Sequence, residues 1–344
     1  MDFRAHGANP EKFFALFGIP VPDKIYDFSS NVNAVKWNGK IDLNENILAS
    51  YPDDEAAAVR RLIAERCGRG EDEMLVTNGS NEAIYLLASY MSGSSAAILE
   101  PCYGEYERAL LAYGAGVHHI FDFCDLTEED KYVWLCNPCN PTGEYTEAAA
   151  LAEIFSEYPD KKFIIDEAYR DFMYGGEKQL DARNFANVIV LRSLTKIYHL
   201  CGARIGYVLA APAVIEKLKS RQPTWSVNAP AQAAAPAFMK DTEFPEQTRA
   251  YYRAEMPRFI GALHDLGCDI CDTAVNFFIM RADDDEKLIR FLLERGIVVR
   301  HTRNFPGLDG KFVRVAARTR EENDIFINAM KAYKAYKERG EHNK

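Results

Sequence analysis

The chain has 344 residues, 48% hydrophobic and 27% charged, enough to bury a large core and to form one big domain with a smaller companion. A formal charge of −10, with no run of five Lys or Arg, excludes the electrostatic footprint of a nucleic-acid binder. The amino terminus lacks a basic stretch followed by an apolar one, and no run approaches the roughly 18 apolar residues of a membrane span. A cytoplasmic protein without nucleic-acid or membrane partners is expected.

Residues 1–45 are rich in Asn, Pro and Gly with little periodicity, and they are expected to wrap over the smaller domain rather than fold alone. From 74 to 210, apolar runs of strand length (74–77, 96–100, 117–123, 132–136, 162–166, 187–193 and 203–210) alternate with helical spacing at 81–91, 104–113, 146–158 and 212–221. That alternation predicts an α/β domain over 46–225, built on a large, mainly parallel, doubly wound sheet. Over 226–344, helical stretches at 231–240 and 246–266 precede strand-like runs at 275–282, 296–300 and 311–316, with a helix at 285–294 and another from 320. This second pattern predicts a small α+β domain. The two C-x-x-C pairs, Cys136 with Cys139 and Cys268 with Cys271, lie more than a hundred residues apart, so reduced thiols and no metal are expected.

In an open parallel sheet, ligands sit beyond the carboxyl ends of the strands, and the polar clusters of this chain fall there. In TNGSNEA (77–83) a strand runs into a Gly turn and a helix beginning near Asn81. The amides of Gly79, Ser80 and Asn81 make an anion site there, although Ser80 with Glu82 is equally a helix cap. In CNPCNPTG (136–143) two Asn-Pro steps hold Asn140 rigidly, or simply make a tight turn. IIDEAYRDF (164–172) ends an apolar strand in Asp166, a carboxylate that needs a cation or a helix to cap. RSLTKIYHLCGAR (192–204) places Lys196 between Thr195 and an apolar stretch, with Ser193 and Arg204 nearby. An amine there is costly to desolvate unless it pairs or reacts.

In this order and at these intervals the four clusters resemble the fold type I, aspartate-aminotransferase-like superfamily of pyridoxal 5'-phosphate enzymes, over nearly the whole chain. The resemblance implies that Lys196 bonds covalently to the cofactor aldehyde and that Asp166 pairs with its ring nitrogen. It further implies that Asn140 and Tyr169 bond the ring's 3-oxygen and that Tyr103, in PCYGEY, stacks on the ring. Ser80, Asn81, Ser193, Thr195 and Arg204 would hold the phosphate. Tyr51, in SYPDDE, resembles a tyrosine that reaches the same phosphate from a second subunit, which implies a homodimer.

The chain's two ends suggest the branch. RVAARTREEN (314–323) is similar to histidinol-phosphate aminotransferases and to the threonine-phosphate decarboxylases of cobalamin synthesis, and the NFPGLD turn (304–309) favours the latter. HGAN (6–9) and DFSSNVN (27–33) resemble segments of the decarboxylases and bring His6 and Asn31 to the substrate. Arg300 and Arg314, with His6, suit a substrate bearing both a carboxylate and a phosphate. The implied reaction is decarboxylation of L-threonine O-3-phosphate to (R)-1-amino-2-propanol phosphate, with histidinol-phosphate transamination to 2-oxoglutarate as the alternative. An arginine that holds the carboxylate in the cofactor plane exposes Cα–H, whereas a site that turns it out of plane favours loss of carbon dioxide. A regulator without turnover would need a DNA-binding segment, for which the chain has neither spare length nor basic charge. One departure stands out: after DFSSNVN the relatives continue with Pro-Leu-Gly, but here Ala34 stands in the proline's place.

Overall fold

The structure, a computed structural model, describes residues 7–43, 45–176 and 181–341. Helix α1 (Pro10–Phe17) buries Phe13, Phe14 and Phe17, and strand β1 (Tyr26–Asp27) follows. Next come α2 (Ala57–Cys67), β2 (Met74–Thr77), α3 (Gly79–Tyr90), β3 (Ser95–Leu99), α4 (Glu105–Ala112) and β4 (Gly116–Ile120). Strand β5 (Asp130–Cys136) leads through α5 (Ala148–Glu157) to β6 (Lys162–Asp166), β7 (Val188–Ser193), β8 (Gly206–Leu209) and α6 (Pro212–Lys219). The last part holds α7 (Ala229–Met239), α8 (Glu243–His264), β9 (Phe277–Arg281), α9 (Asp285–Leu293), β10 (Ile297–Val298), β11 (Arg300–His301), β12 (Phe312–Ala316) and α10 (Arg320–Glu341).

Seven strands form the large sheet in the order β2-β8-β7-β6-β5-β3-β4. Their apolar runs are continuous because both faces are covered: Val133, Phe163, Ile165 and Val190 belong to one core, while Trp134, Ile164, Ile189 and Leu191 belong to another. The sheet is mostly parallel, but β8 is antiparallel to both β2 and β7. The connection 194–205 contains only a short 3-10 turn (Cys201–Ala203), so the chain has no crossover helix to return it parallel.

Three local differences from the sequence reading have simple causes. The segment before residue 45 contains α1, only two turns long and too short to show a period. Helix α2 carries its signal in Val59 and Ile63, one turn apart, and stops at Gly68 in the left-handed region (φ 61°). The run 296–300 is two pairings rather than one strand: Ile297 and Val298 lie parallel to Tyr26 and Asp27, while Arg300 and His301 pair antiparallel with Arg314 and Val313. Among the described residues, no helix is long and apolar enough to cross a membrane.

The segment after β1 runs deep into the molecule. Asn33 donates its backbone N–H to the Lys196 carbonyl (3.2 Å) and its side-chain amide to the Ile197 carbonyl (2.7 Å) and the Thr248 hydroxyl (2.9 Å). Ala34 donates its N–H to the Tyr252 hydroxyl at 2.8 Å. Proline has no such donor, so the departure at position 34 is used for a bond that the relatives' residue cannot make.

Candidate active site

Two rows across the large sheet build the site. Cys136, Asp166 and Leu191 are neighbours on β5, β6 and β7, and Thr77, Gly206 and Ser193 are neighbours on β2, β8 and β7. The loops beyond these positions carry Asn140, Tyr169, Lys196, Gly79 and Arg204 to the same edge. A cleft of about 320 Å³ opens there, lined by Asn31, Ser80, Asn81, Tyr103, Asn140, Asp166, Tyr169, Ser193, Thr195, Lys196, Arg204, Arg300 and Arg314. The structure thus collects in one place nearly every residue singled out from sequence.

Two of the others lie elsewhere. His6 falls outside the described residues. Tyr51 is not in this chain's cleft: it is 79% exposed and stacked on Trp225, with ring centroids 4.5 Å apart. Gly79 does not line the cleft but shapes it, since a Cβ there would come within 2.6 Å of the Arg204 guanidinium, and its φ is +76°.

One end of the cleft is a cluster of donors. Helix α3 starts at Gly79, two residues before the expected position, so Gly79, Ser80 and Asn81 occupy its first turn with their amides unpaired by the helix. Glu82 accepts from the Asn78 backbone N–H at 2.6 Å, but Ser80 lies inside the helix and does not cap it, so no side-chain cap takes up these amides. A Cβ on Gly206 would meet the Ser80 nitrogen at 2.6 Å, so only glycine lets β8 pass this close to the amide. The Ser193 and Thr195 hydroxyls are buried and 3.0 Å apart. Arg204 sits in the left-handed region (φ 53°). Hydroxyls, amides and one guanidinium, with no carboxylate lining this end, suit a phosphate.

The middle of the cleft holds an acid and an amine. Asp166 is 4% exposed; its Oδ2 accepts from the Tyr106 hydroxyl at 2.8 Å and its Oδ1 from the Ala168 N–H at 2.9 Å. Burial pushes its carboxyl up, opposed by the Lys196 ammonium and by the Tyr106 bond. For Lys196 burial is the largest single effect and acts downward, but the negative fields of Tyr169, Asp166 and nearby thiols together leave its amine above the ordinary value. Its Nζ lies 4.7 Å from the centre of the Tyr169 ring. Asn31 donates to the Tyr169 hydroxyl at 3.2 Å, and its own Oδ1 is buried without a partner.

The other end is cationic. Arg300 and Arg314 face each other across β11 and β12, 2% and 6% exposed, and neither forms an ion pair with a carboxylate among the described residues. Arg314 donates to Asn140 Oδ1 (2.5 Å) and the Ser29 carbonyl (2.6 Å), while its Nε has no partner. Arg300 donates to Asn304 Oδ1 at 2.8 Å and contacts His301 Nε2. Burial, and then Arg314, push Arg300 down to about 9. A guanidinium hardly ever gives up its proton in a protein, so the strain is better relieved by binding an anion.

Two residues at the site were not found from sequence. Tyr106 is fully buried, packed on Trp134 (5.2 Å) and edge-on to Tyr103 (5.8 Å), so its hydroxyl is fixed on Asp166. Its only signal was a second tyrosine three residues after Tyr103. Asn33, within the quoted DFSSNVN, pins the loop that carries Lys196. All eight cysteines are free thiols; Cys136 lines the cleft and accepts the Asn140 N–H at 3.3 Å, and Cys124 is exposed.

This fold, with a lysine and an aspartate at neighbouring strand ends and a phosphate cradle beside them, defines a class. Residues 26–330 match the family model of class I and II aminotransferases, and the chain belongs to that family of pyridoxal 5'-phosphate-dependent enzymes. Among its relatives is the threonine-phosphate decarboxylase of Salmonella typhimurium, 30% identical over 95% of this chain and 96% of that protein. The histidinol-phosphate aminotransferase of Moorella thermoacetica is also 30% identical, over 82% of this chain and 77% of that one. The crystal structure of L-threonine-O-3-phosphate decarboxylase from Porphyromonas gingivalis superposes with a TM-score of 0.78 at 28% identity, covering 84% of this chain and 92% of that one. The enzyme is therefore a decarboxylase or an aminotransferase.

The residues present fit the cofactor. The Gly79 and Gly206 positions leave room for the Ser80 amide and the Arg204 guanidinium to converge, and a buried carboxylate and a buried amine lie beside that cradle.

Proposed function

We propose that this protein decarboxylates L-threonine O-3-phosphate to (R)-1-amino-2-propanol phosphate and carbon dioxide. The observation that carries this reading is the pair of buried arginines, Arg300 and Arg314, neither of which forms an ion pair with a carboxylate among the described residues. Two cations 2% and 6% exposed favour a ligand with two anionic groups, and a phosphorylated amino acid has them. The decarboxylase relatives at both sequence and structure level support the same choice.

In this reading the body 46–225 holds the cofactor, and 226–344 closes over the substrate together with the segment 1–45. Ser80, Asn81, Ser193, Thr195 and Arg204 would hold the cofactor phosphate, Tyr103 would stack on the ring, and Tyr169 with Asn140 would bond its oxygen. When bound, the cofactor supplies an electron sink for the bond broken at the substrate's α-carbon. Asp166, held as an acceptor by Tyr106 and Ala168, would keep a proton on the ring nitrogen. Arg314 is fixed by Asn140 and Ser29 and orients the substrate carboxylate; Arg300, fixed by Asn304, takes the phosphate. The unpartnered Asn31 Oδ1 accepts from the substrate amine. Lys196, in its protonated form, would return a proton to the α-carbon and become a neutral amine, which makes the product an amine. His6 joins the substrate contacts, and a homodimer brings Tyr51 to the partner's phosphate site.

The test is incubation of the purified protein with threonine phosphate alone, following carbon dioxide and product mass. Release without a keto acid supports the decarboxylase. The Moorella relative keeps a second reading in view: turnover of histidinol phosphate that depends on added 2-oxoglutarate, with no carbon dioxide, would replace the first.

A further inference from the structure

Away from the cleft, a second cavity of about 240 Å³ is lined by Arg66, Arg69, Arg170, Arg183 and Arg192, and by one acid, Asp181. It lies against β7 and β8 through Arg192 and Leu209, and against the last turn of α2 through Arg66. In a chain of net charge −10, five guanidiniums around one recess ask for an explanation.

Internal pairing accounts for part of the charge. Arg170 (3.0 Å) and Arg192 (2.7 Å) share the single Oε2 of Glu167; Arg69 pairs with Glu73 (3.2 Å) and Arg183 with Asp181 (2.6 Å). Arg66 donates to the Tyr198 hydroxyl at 2.8 Å and has no ion pair among the described residues, with Asp171 the opposing carboxylate that acts on it. Arg183 also reaches the Gly68 carbonyl at 3.4 Å, where the end of α2 contributes about half a negative charge. Among the described residues, five cations thus meet three paired carboxylates, Asp171, which pairs with none of them, and a helix end, a balance that stays positive. Arg69, Arg170 and Arg192 are half-buried, so this potential is weakly screened. Guanidiniums converging from several elements match the oxygens of a tetrahedral anion better than those of any neutral ligand.

We propose that this cavity binds a small oxyanion of the phosphate class, at a site distinct from the active-site cleft. The bound anion joins α2 to the sheet through Arg66 and Arg192. It also lies close in sequence to the chemistry, since Glu167 follows Asp166 and Arg192 precedes Ser193.

Calorimetric titration of the holoenzyme with inorganic phosphate, at ionic strength held constant with chloride, tests the idea. The Arg66→Gln/Arg183→Gln variant should bind at this site about tenfold more weakly or lose one equivalent per chain, while its kcat/KM stays within about twofold of the parent. Arg300→Gln, which alters only the cleft, should keep that equivalent. Unchanged phosphate binding in the double variant, or loss confined to Arg300→Gln, overturns the proposal. Should the double variant melt early in chloride, Arg183→Gln alone, at an exposed position, carries the same two outcomes. A parallel titration with phosphoethanolamine distinguishes free phosphate from a phosphomonoester as the preferred occupant.

Discussion

At the Asp166 end of the cleft the chain supplies both signs of charge: a carboxylate and an ammonium face each other, and Tyr106 and Ala168 satisfy the carboxylate's oxygens. At the Arg300 end cations prevail: two arginines sit on opposed strand positions with amides, a carbonyl and an imidazole for company, and the one carboxylate that acts on either, Asp27, forms no ion pair with Arg314. The first arrangement is complete as folded and is tuned for reactivity. In the proposed function the second is completed by the substrate's anionic groups, an arrangement that trades stability for recognition.

Removing the amine should break the first end outright. Lys196→Ala is expected to lower kcat by at least about a thousandfold and to abolish the visible absorption of the cofactor-linked protein. Steady-state carbon dioxide release and an absorption spectrum check both. At the second end, Arg300→Met should lower kcat/KM by roughly a hundredfold, a loss of about 3 kcal/mol, while the melting temperature of the protein without substrate does not fall. A clear drop in that temperature would contradict the view that this cation is uncompensated.

His301 lets the same contrast be read by pH. Burial first, and then Arg300, Arg303 and Arg314, push its imidazole down to about 2 from an ordinary 6.5. Below pH 6.5 the unfolded chain takes up a proton that the folded chain refuses, so stability is lost as pH falls. Between 6.5 and 5 the loss amounts to about 2 kcal/mol. His301→Gln should remove that part of the acid sensitivity, measured by urea unfolding at pH 7.5 and 5.0. An identical slope in the two proteins would count against it. The smallest effect is expected for Tyr106→Phe, which keeps the ring on Trp134 but deletes the hydroxyl on Asp166. A fall in kcat of about tenfold should accompany a displaced midpoint in the pH titration of the cofactor's absorption, by roughly one unit. A changed rate with an unmoved midpoint would mean that Tyr106 only packs.

Much of this was legible in the sequence because the chemistry sits at strand ends. An apolar strand stopping at Asp166, or a lysine after RSLT, breaks the local pattern, and such breaks are visible one residue at a time. What was not legible depends on distant partners. Tyr106 looks like any helical tyrosine until Asp166, sixty residues on, is placed beside it. Asn33 shows no sign of its bonds to 197 and 248. The reversed direction of β8 follows from the brevity of 194–205, a matter of geometry rather than composition. Tyr51, identified by resemblance, packs on Trp225 at the surface of this chain, and only a second copy would give it the expected role.

The bonds of Asn33 and Ala34 carry one more consequence. They fasten the early chain to the body at 196–197 and 248–252, while the stretch just after them, around 38–43, is largely open to solvent. A protease cutting there would leave two pieces that still grip each other. The nicked molecule would elute as one, with the backbone of Lys196 still anchored by a fragment no longer covalently its own.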